Sequence, residues 1–254
     1  MLLAIDAGNT QTVIGLFDGA TLRDHWRIAS LAERTSDELA LVVGQFLGFH
    51  GFAPDTDVSG VAVASGVPRV TAALREMCTR YFGFEALVLE PGVRSGMSIL
   101  YDNPKEVGAD RIANAVGVYD LYGGPSIVVD FGTANTVDAV SAESEYLGGA
   151  IFPGIEIAMD ALFARAALLG RVELTPPKNV IGKSTIESIQ SGAVYGFSGQ
   201  VDALVDRFQA ELGEATVVCT GGLAELIMGF SRTIQHHEPW LTLHGLRIVF
   251  ERNQ

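Results

Sequence analysis

Leu2-Leu3-Ala4-Ile5-Asp6-Ala7-Gly8-Asn9-Thr10 and Ile127-Val128-Val129-Asp130-Phe131-Gly132-Thr133 are the two stretches that decide the fold. Each is a short apolar, strand-forming run that ends on an Asp-x-Gly turn, and each leads into two further strand-like runs. Behind the first come Thr12 to Phe17, the hairpin dipeptide Asp18-Gly19 and Leu22 to Ile28. Behind the second come Thr136 to Val140 and Tyr146 to Ile151. Helix and strand signals then alternate. Thr35 with Glu38 forms a capping-box signature ahead of a helix over Leu39 to Phe49. Val58 to Ala64 reads as a buried strand, Pro68 to Tyr81 as a helix, Ala86 to Leu89 as a short strand and Lys105 to Leu121 as a helix. The second half adds helices over Glu156 to Leu169 and Ser184 to Leu212, a strand over Thr216 to Cys219, and the turn Gly221-Gly222 opening a helix at Leu223. A pattern that occurs twice predicts an internal duplication: an α/β chain of two domains, 1–115 and 116–254, each with a mixed β-sheet flanked by helices.

The 254 residues are 48% hydrophobic and carry a formal net charge of -13. That charge argues against nucleic acid and anionic membranes as partners, since both require a surplus of Lys and Arg. An anionic substrate must then be held by local groups: backbone N–H groups, a few basic side chains and a metal ion. Cys78 and Cys219 have no metal-site or redox spacing and read as two buried thiols in a reduced, cytoplasmic protein. The opening residues lack the basic and apolar regions of a signal peptide, and no apolar run is long enough for a transmembrane helix.

The turn Asp6-Ala7-Gly8-Asn9-Thr10 has the parts of an anion site. Gly8 permits close backbone approach, the turn aims successive N–H groups at one point, and Asn9 and Thr10 add side-chain donors. Asp6 can hold a cation or its water shell beside phosphates. Asp130, Gly132 and Thr133 repeat these parts, so that a triphosphate and its metal could be gripped from both sides. Taken singly, each loop is equally a plain hairpin turn of Asp, Asn and Gly; the repetition is what favours phosphate. Thr220-Gly221-Gly222 follows a strand and opens a helix, where a glycine pair lets the chain approach an adenosine or a phosphate.

Tyr101-Asp102-Asn103-Pro104-Lys105-Glu106-Val107-Gly108-Ala109-Asp110-Arg111 joins a turn to a helix start. A carboxylate at Asp110 is placed to accept the proton of a substrate alcohol as it attacks phosphorus, and Arg111 to pair with a substrate carboxylate or the transferring phosphoryl group. The plainer alternative is an acidic helix cap beside a surface Arg.

Asp6 to Thr10, Gly108-Ala109-Asp110-Arg111, Asp130-Phe131-Gly132-Thr133 and Thr220-Gly221-Gly222, in this order and at this separation, resemble type III pantothenate kinases. These belong to the acetate and sugar kinase/Hsc70/actin superfamily, and the resemblance runs nearly end to end. It implies a duplicated ribonuclease H-like (actin-like ATPase) fold and the ATP-dependent phosphorylation of pantothenate to 4'-phosphopantothenate, the first step of coenzyme A biosynthesis. It implies Asp110 as the catalytic base. ATP is expected at Asp6, Ala7, Gly8, Asn9, Thr10, Gln11, Thr12 and Val13, at Thr133, and at Gly221 and Gly222. Pantothenate is expected at Tyr101, Gly108, Ala109, Asp110, Arg111 and Thr185, with Asp130 holding a monovalent cation, K+ or NH4+. Mg2+ accompanies the ATP, and family members are homodimers. Two rival readings share the frame: a superfamily kinase or phosphatase for another acceptor, and a nucleotide-dependent binding protein, which would not need Gly108 to Arg111. His236-His237-Glu238 reads as a solvated loop, Trp26 and Trp240 as packing anchors, and Met159, Leu162 and Phe163 as helix core.

Overall fold

Strand β1 (Leu2–Ala7) ends on the first Asp-x-Gly turn, and β2 (Gln11–Asp18) and β3 (Thr21–Ala29) follow it in antiparallel register. Helices α1 (Ser36–Phe49) and α2 (Pro54–Asp57), strand β4 (Gly60–Ser65), helix α3 (Pro68–Met77) and strands β5 (Leu87–Val88) and β6 (Ser98–Ile99) lead to helix α4 (Ala109–Tyr122). Strands β7 (Ser126–Phe131), β8 (Ala134–Val140) and β9 (Glu145–Pro153) repeat the opening, followed by α5 (Ile155–Arg165) and the long α6 (Thr185–Leu212). Strand β10 (Thr216–Thr220), α7 (Ala224–Met228), β11 (His236–His237) and α8 (Leu241–Glu251) complete the chain. This computed structural model describes residues 1–166 and 168–254.

The chain divides into two compact units, Met1–Asp120 with Leu241–Gln254, and Leu121–Trp240. In the first, neighbouring strands run β3-β2-β1-β4-β5; in the second they run β9-β8-β7-β10-β11, the same succession. Strand β1 pairs antiparallel with β2 and parallel with β4, as β7 does with β8 and β10. The duplication expected from the sequence is therefore present at the level of strand order and direction. Each central strand buries alternate residues on its helix-covered face: Leu3, Ile5 and Ala7 with α1 and α3 residues in the first unit, Ile127, Val129 and Phe131 with α6 and α7 residues in the second. That alternation turns Asp6 and Asp130 to the opposite face of their sheets.

The last helix explains why residues 241–254 fold with the first unit, where a single cut at 115/116 assigns them to the second half. Helices α4 and α8 meet through glycines. A Cβ at Gly117 would lie 2.8 Å from the Leu241 carbonyl, and one at Gly245 would collide with the Ala113 backbone. The Thr242 hydroxyl donates to Asn114 Oδ1 (2.7 Å) in the same buried seam. Helix α4, which carries Asp110 in its first turn, is thus held against α8 from Ala113 to Gly117.

Several element expectations change. The predicted helix over Lys105 to Leu121 is a short 3₁₀ turn, Pro104–Glu106, and then α4; Val107 is extended between them, and Gly108 supplies the carbonyl that accepts the first helical bond, from Ile112 (3.1 Å). The helix predicted over Glu156 to Leu169 ends at Arg165, with residue 167 outside the described residues. Only Ile155 is fully buried: Met159 is half-buried against the core of the second unit, Phe163 is half-buried and Leu162 is exposed, so the expected helix core holds at Met159 and fails at Leu162. His236-His237 is a short edge strand paired parallel to β10 with His236 stacked on Tyr122 (4.6 Å), not a loop. Trp26 stacks flat on Phe46 at 5.2 Å, the packing role expected of it. Cys78 and Cys219 are buried and free.

Candidate active site

In the first unit the Asp6 turn is a tight hairpin. The Gly8 N–H donates to the Gln11 carbonyl (3.1 Å), and Ser30 N–H donates to the Thr10 carbonyl (2.9 Å), tying the loop to the end of β3. Beneath it the buried Thr12 hydroxyl lies 2.8 Å from the Ser30 hydroxyl. Asn9, Thr10 and Gln11 are exposed at the tip, while Asp6, Gly8 and Val13 are half-buried and Ala7 is in the core. A rigid base with polar, exposed tip residues suits a loop that receives an anion.

Tyr101 and the segment Gly108 to Arg111 belong to the same unit. Asn103 caps the 3₁₀ turn, accepting from Lys105 N–H (3.4 Å) and donating to Glu106 Oε1 (2.7 Å). Asp110 is exposed in the first turn of α4, where the helix dipole favours a negative charge, and its Oδ1 accepts from the Arg111 N–H (2.9 Å). A Cβ at Gly108 would run into that same oxygen. Glycine is therefore the residue that lets the Asp110 carboxylate occupy this position. Arg111 is buried at 6% exposure and so is a fixed part of the helix start, not a surface side chain.

In the second unit Asp130 is half-buried at the end of β7, with Gly132 and Thr133 exposed beyond it. Thr220 of β10 stands in register with Asp130, which brings the Gly221-Gly222 turn beside the second loop. Gly221 has φ +96, and a Cβ there would lie 2.6 Å from Asp130 Oδ1, Phe131 N and Phe131 O. The glycine predicted from a strand-to-helix turn is needed because the two turns touch. The carboxylate oxygen of Asp130 and the carbonyl oxygen of Phe131 converge beside Gly221, and hard oxygen donors of this kind fit an alkali or ammonium ion. Among the described residues no group of three acidic, His or Cys side chains forms a divalent-metal cluster.

Within the second unit Thr185 belongs to a different place from Asp130, Thr133 and Gly221. It begins α6, whose N-cap Ser184 accepts from Glu187 N–H (3.2 Å), and it lines a cavity of about 650 Å³ with Lys183, Ser188 and the half-exposed apolar side chains Met159 and Leu162. Asp130, Thr133 and Gly221 do not line that cavity.

Sequence reasoning passed over three features. Asp138 is fully buried on the Asp130 face of the second sheet, accepting from the Thr136 hydroxyl (2.9 Å) and the Tyr146 hydroxyl (2.8 Å). Its signal was its place two residues beyond Thr136 in a strand. Asn135, opposite Phe131, is buried with both amide atoms lacking a partner among the described residues. Ser30 had no signal at all, because its role depends on a hairpin register. Cys219, next to Thr220, has its thiol pushed up to about 12 by burial, with the Asp130 charge adding to the shift.

Comparison with known proteins gives relatives along the whole chain. A relative from Moorella thermoacetica named type III pantothenate kinase is 56% identical over 254 residues, covering all of both chains. One of the same name from Streptomyces griseus is 54% identical, covering all of this chain and 98% of its own. Among solved structures, one described as a Baf family transcriptional activator from Campylobacter jejuni aligns over 99% of this chain and 98% of its own at 19% identity and TM-score 0.61. A ROK hexokinase from Thermus thermophilus aligns over 99% of both chains at 13% identity and TM-score 0.53. These likenesses show the duplicated actin-like ATPase fold. The sequence pattern that defines type III pantothenate kinases matches residues 2–207, and the chain belongs to that family.

Proposed function

We propose that this chain transfers the γ-phosphoryl group of ATP to the terminal hydroxyl of pantothenate, giving 4'-phosphopantothenate and ADP, in the first step of coenzyme A synthesis. The observation that carries the reading is Asp110, exposed on the first turn of a clamped helix, with Gly108 leaving room for its carboxylate. In the reaction the hydroxyl oxygen attacks the γ-phosphorus, its proton passes to Asp110, and the bond to the ADP oxygen breaks. Tyr101, Gly108, Ala109, Arg111 and Thr185 bind the acceptor, with the buried Arg111 guanidinium as counter-charge for the pantothenate carboxylate. Asp6 to Val13, Thr133 and the Gly221-Gly222 turn bind ATP. Mg2+ on the triphosphate and K+ or NH4+ at Asp130 supply positive charge against the phosphates in a protein of net charge -13. The division of labour follows the duplication near residue 115, the first loop serving as main cradle and the second as cation and nucleotide site.

We also infer a homodimer built on the second unit. Val180, Ile181 and Ile186 are 60%, 74% and 56% exposed, and α5 leaves Ile157 and Leu162 open beside them, more apolar surface than an isolated unit normally shows. Among the described residues no helix is long and apolar enough to cross a membrane, in keeping with a cytoplasmic enzyme.

The test is ADP release in potassium buffer with and without pantothenate, for the parent and Asp110→Asn. Pantothenate-dependent release that falls by about 10²- to 10⁴-fold in the variant, with ATP binding retained, is expected. Release that ignores pantothenate would sink the reading.

A further inference from the structure

The first unit holds a second cavity, of about 400 Å³, behind the acceptor segment. Tyr101, Gly108, Asp110 and Arg111 do not line it; the other side of the same segment does, through Val107, Ala109 and Ile112. Its remaining wall is the loop from Leu89 to Met97, Ile99 and the turn at Asn103, Pro104 and Lys105, and most of the lining is apolar. The volume falls within the range of small-ligand pockets.

Two charged residues stand on its rim. Glu90 is already neutralised by Arg75 at 2.7 Å. Lys105 makes no side-chain hydrogen bond or ion pair among the described residues. Glu106, next to it in sequence, is bonded to Asn103 and does not line the cavity. Of the charges that line the cavity, Lys105 is thus the one with no ion-pair partner among the described residues, over an apolar interior and inside a chain that is strongly negative as a whole. An apolar chain ending in an anion matches both features, whereas an alkylamine matches only the interior and a polar sugar neither.

We propose that this cavity binds a small amphiphilic carboxylate of the medium-chain fatty-acid type, tail against Val107, Ile112 and Met97 and carboxylate toward Lys105. Because Val107 and Ile112 flank the turn that carries Asp110, occupancy is coupled to pantothenate binding on the other side of that turn. The coupling rests on the kinase reading; the binding does not.

The probe is octanoate, titrated calorimetrically into the whole protein without nucleotide. Saturable binding is expected, with octylamine, of the same tail and opposite charge, at least about threefold weaker. Lys105→Glu should weaken octanoate roughly three- to tenfold, and Val93→Trp, which fills the cavity from its half-exposed rim, should abolish binding. Lys183→Glu, on the other large cavity, should leave it unchanged. Absence of saturable binding, or binding equal in Lys105→Glu and Val93→Trp, overturns the site. An unchanged KM for pantothenate at saturating octanoate overturns the coupling and leaves both the site and the kinase reading standing.

Discussion

Replacing Gly221 by alanine tests whether the second loop is held in place by contact with the Gly221-Gly222 turn. The residue sits at φ +96, where an L side chain costs about 1–2 kcal/mol. Its new methyl would also lie 2.6 Å from Asp130 Oδ1 and from the backbone N and O of Phe131. Two of those three atoms are backbone atoms of the central strand, so relief requires backbone movement, at about 1–3 kcal/mol. The sum is about 2–5 kcal/mol, a large share of the stability of a typical domain. For a protein of this size that lowers the melting temperature by about 5–15 °C. Gly66→Ala is the control: its Cβ meets nothing within 4 Å and its φ is ordinary, so a change under about 0.5 kcal/mol is expected. Thermal unfolding of both variants, with the K+ and ATP dependence of turnover, makes the comparison. Because the third clash is with the Asp130 carboxylate, Gly221→Ala should also raise the K+ concentration needed for half-maximal activity. A variant that melts with the parent and keeps its K+ dependence would show that the two turns do not touch as described, and the cation assignment to Asp130 would lose its support.

Gly108→Ala pushes on Asp110 Oδ1 at a half-exposed site, so kcat should fall by about 10- to 100-fold with KM for ATP unchanged in steady-state assays. Thr35→Ala removes a capping box in which Thr35 Oγ1 accepts from Glu38 N–H (3.2 Å) and Glu38 accepts from Thr35 N–H (2.8 Å); denaturation should show a loss of about 1 kcal/mol with activity intact. Burial raises the Cys78 and Cys219 thiols from 9.0 to about 12. Above pH 9 the unfolded chain then releases protons that the folded chain keeps, so stability falls as pH rises from about 9 to 12, by about 1.4 kcal/mol per pH unit for each thiol. Melting curves across that range, compared with the double alanine variant, check the slope.

The succession of strands along the chain and the two loops were legible because both rest on local signals: apolar runs bounded by Asp-x-Gly turns, and the hairpin dipeptide Asp18-Gly19. Their repetition carried the duplication, and the register confirms it, with Asp6 opposite Val13 and Asp130 opposite Thr136. What failed depended on surroundings. Met159, Leu162 and Phe163 have helical spacing, but spacing does not say how far that face is covered: Met159 packs against the core of the second unit, whereas Leu162 stays exposed. The two residues His236-His237 are too short and polar to read as a strand; pairing with β10 makes them one. The return of α8 to the first unit rests on its packing against β1 and β4 and on Gly117, Gly245 and the Asn114–Thr242 bond, contacts between residues more than a hundred positions apart.

The duplication is also broken at one informative point. Ser30 and Gly154 occupy matching places, each donating its backbone N–H to a loop carbonyl, Thr10 in one half and Thr133 in the other. Ser30 adds a hydroxyl that meets Thr12. Gly154 adds nothing and has no room to, since a Cβ there would strike the Gly132 and Thr133 carbonyls, and it is also the N-cap of α5. The counterpart of Thr12 is Asn135, left buried without a partner among the described residues, at a cost of about 1–3 kcal/mol. The first loop is therefore tied by its own hairpin and one hydroxyl pair, whereas the second is pressed between two glycines, Gly154 and Gly221, that admit no side chain. A loop fixed on two sides by backbone suits a site whose donors are a carboxylate and a carbonyl and must not move. A loop with an exposed Asn-Thr-Gln tip suits one that closes on phosphates. The same duplicated frame thus holds two differently built loops, which fits the two tasks proposed for them.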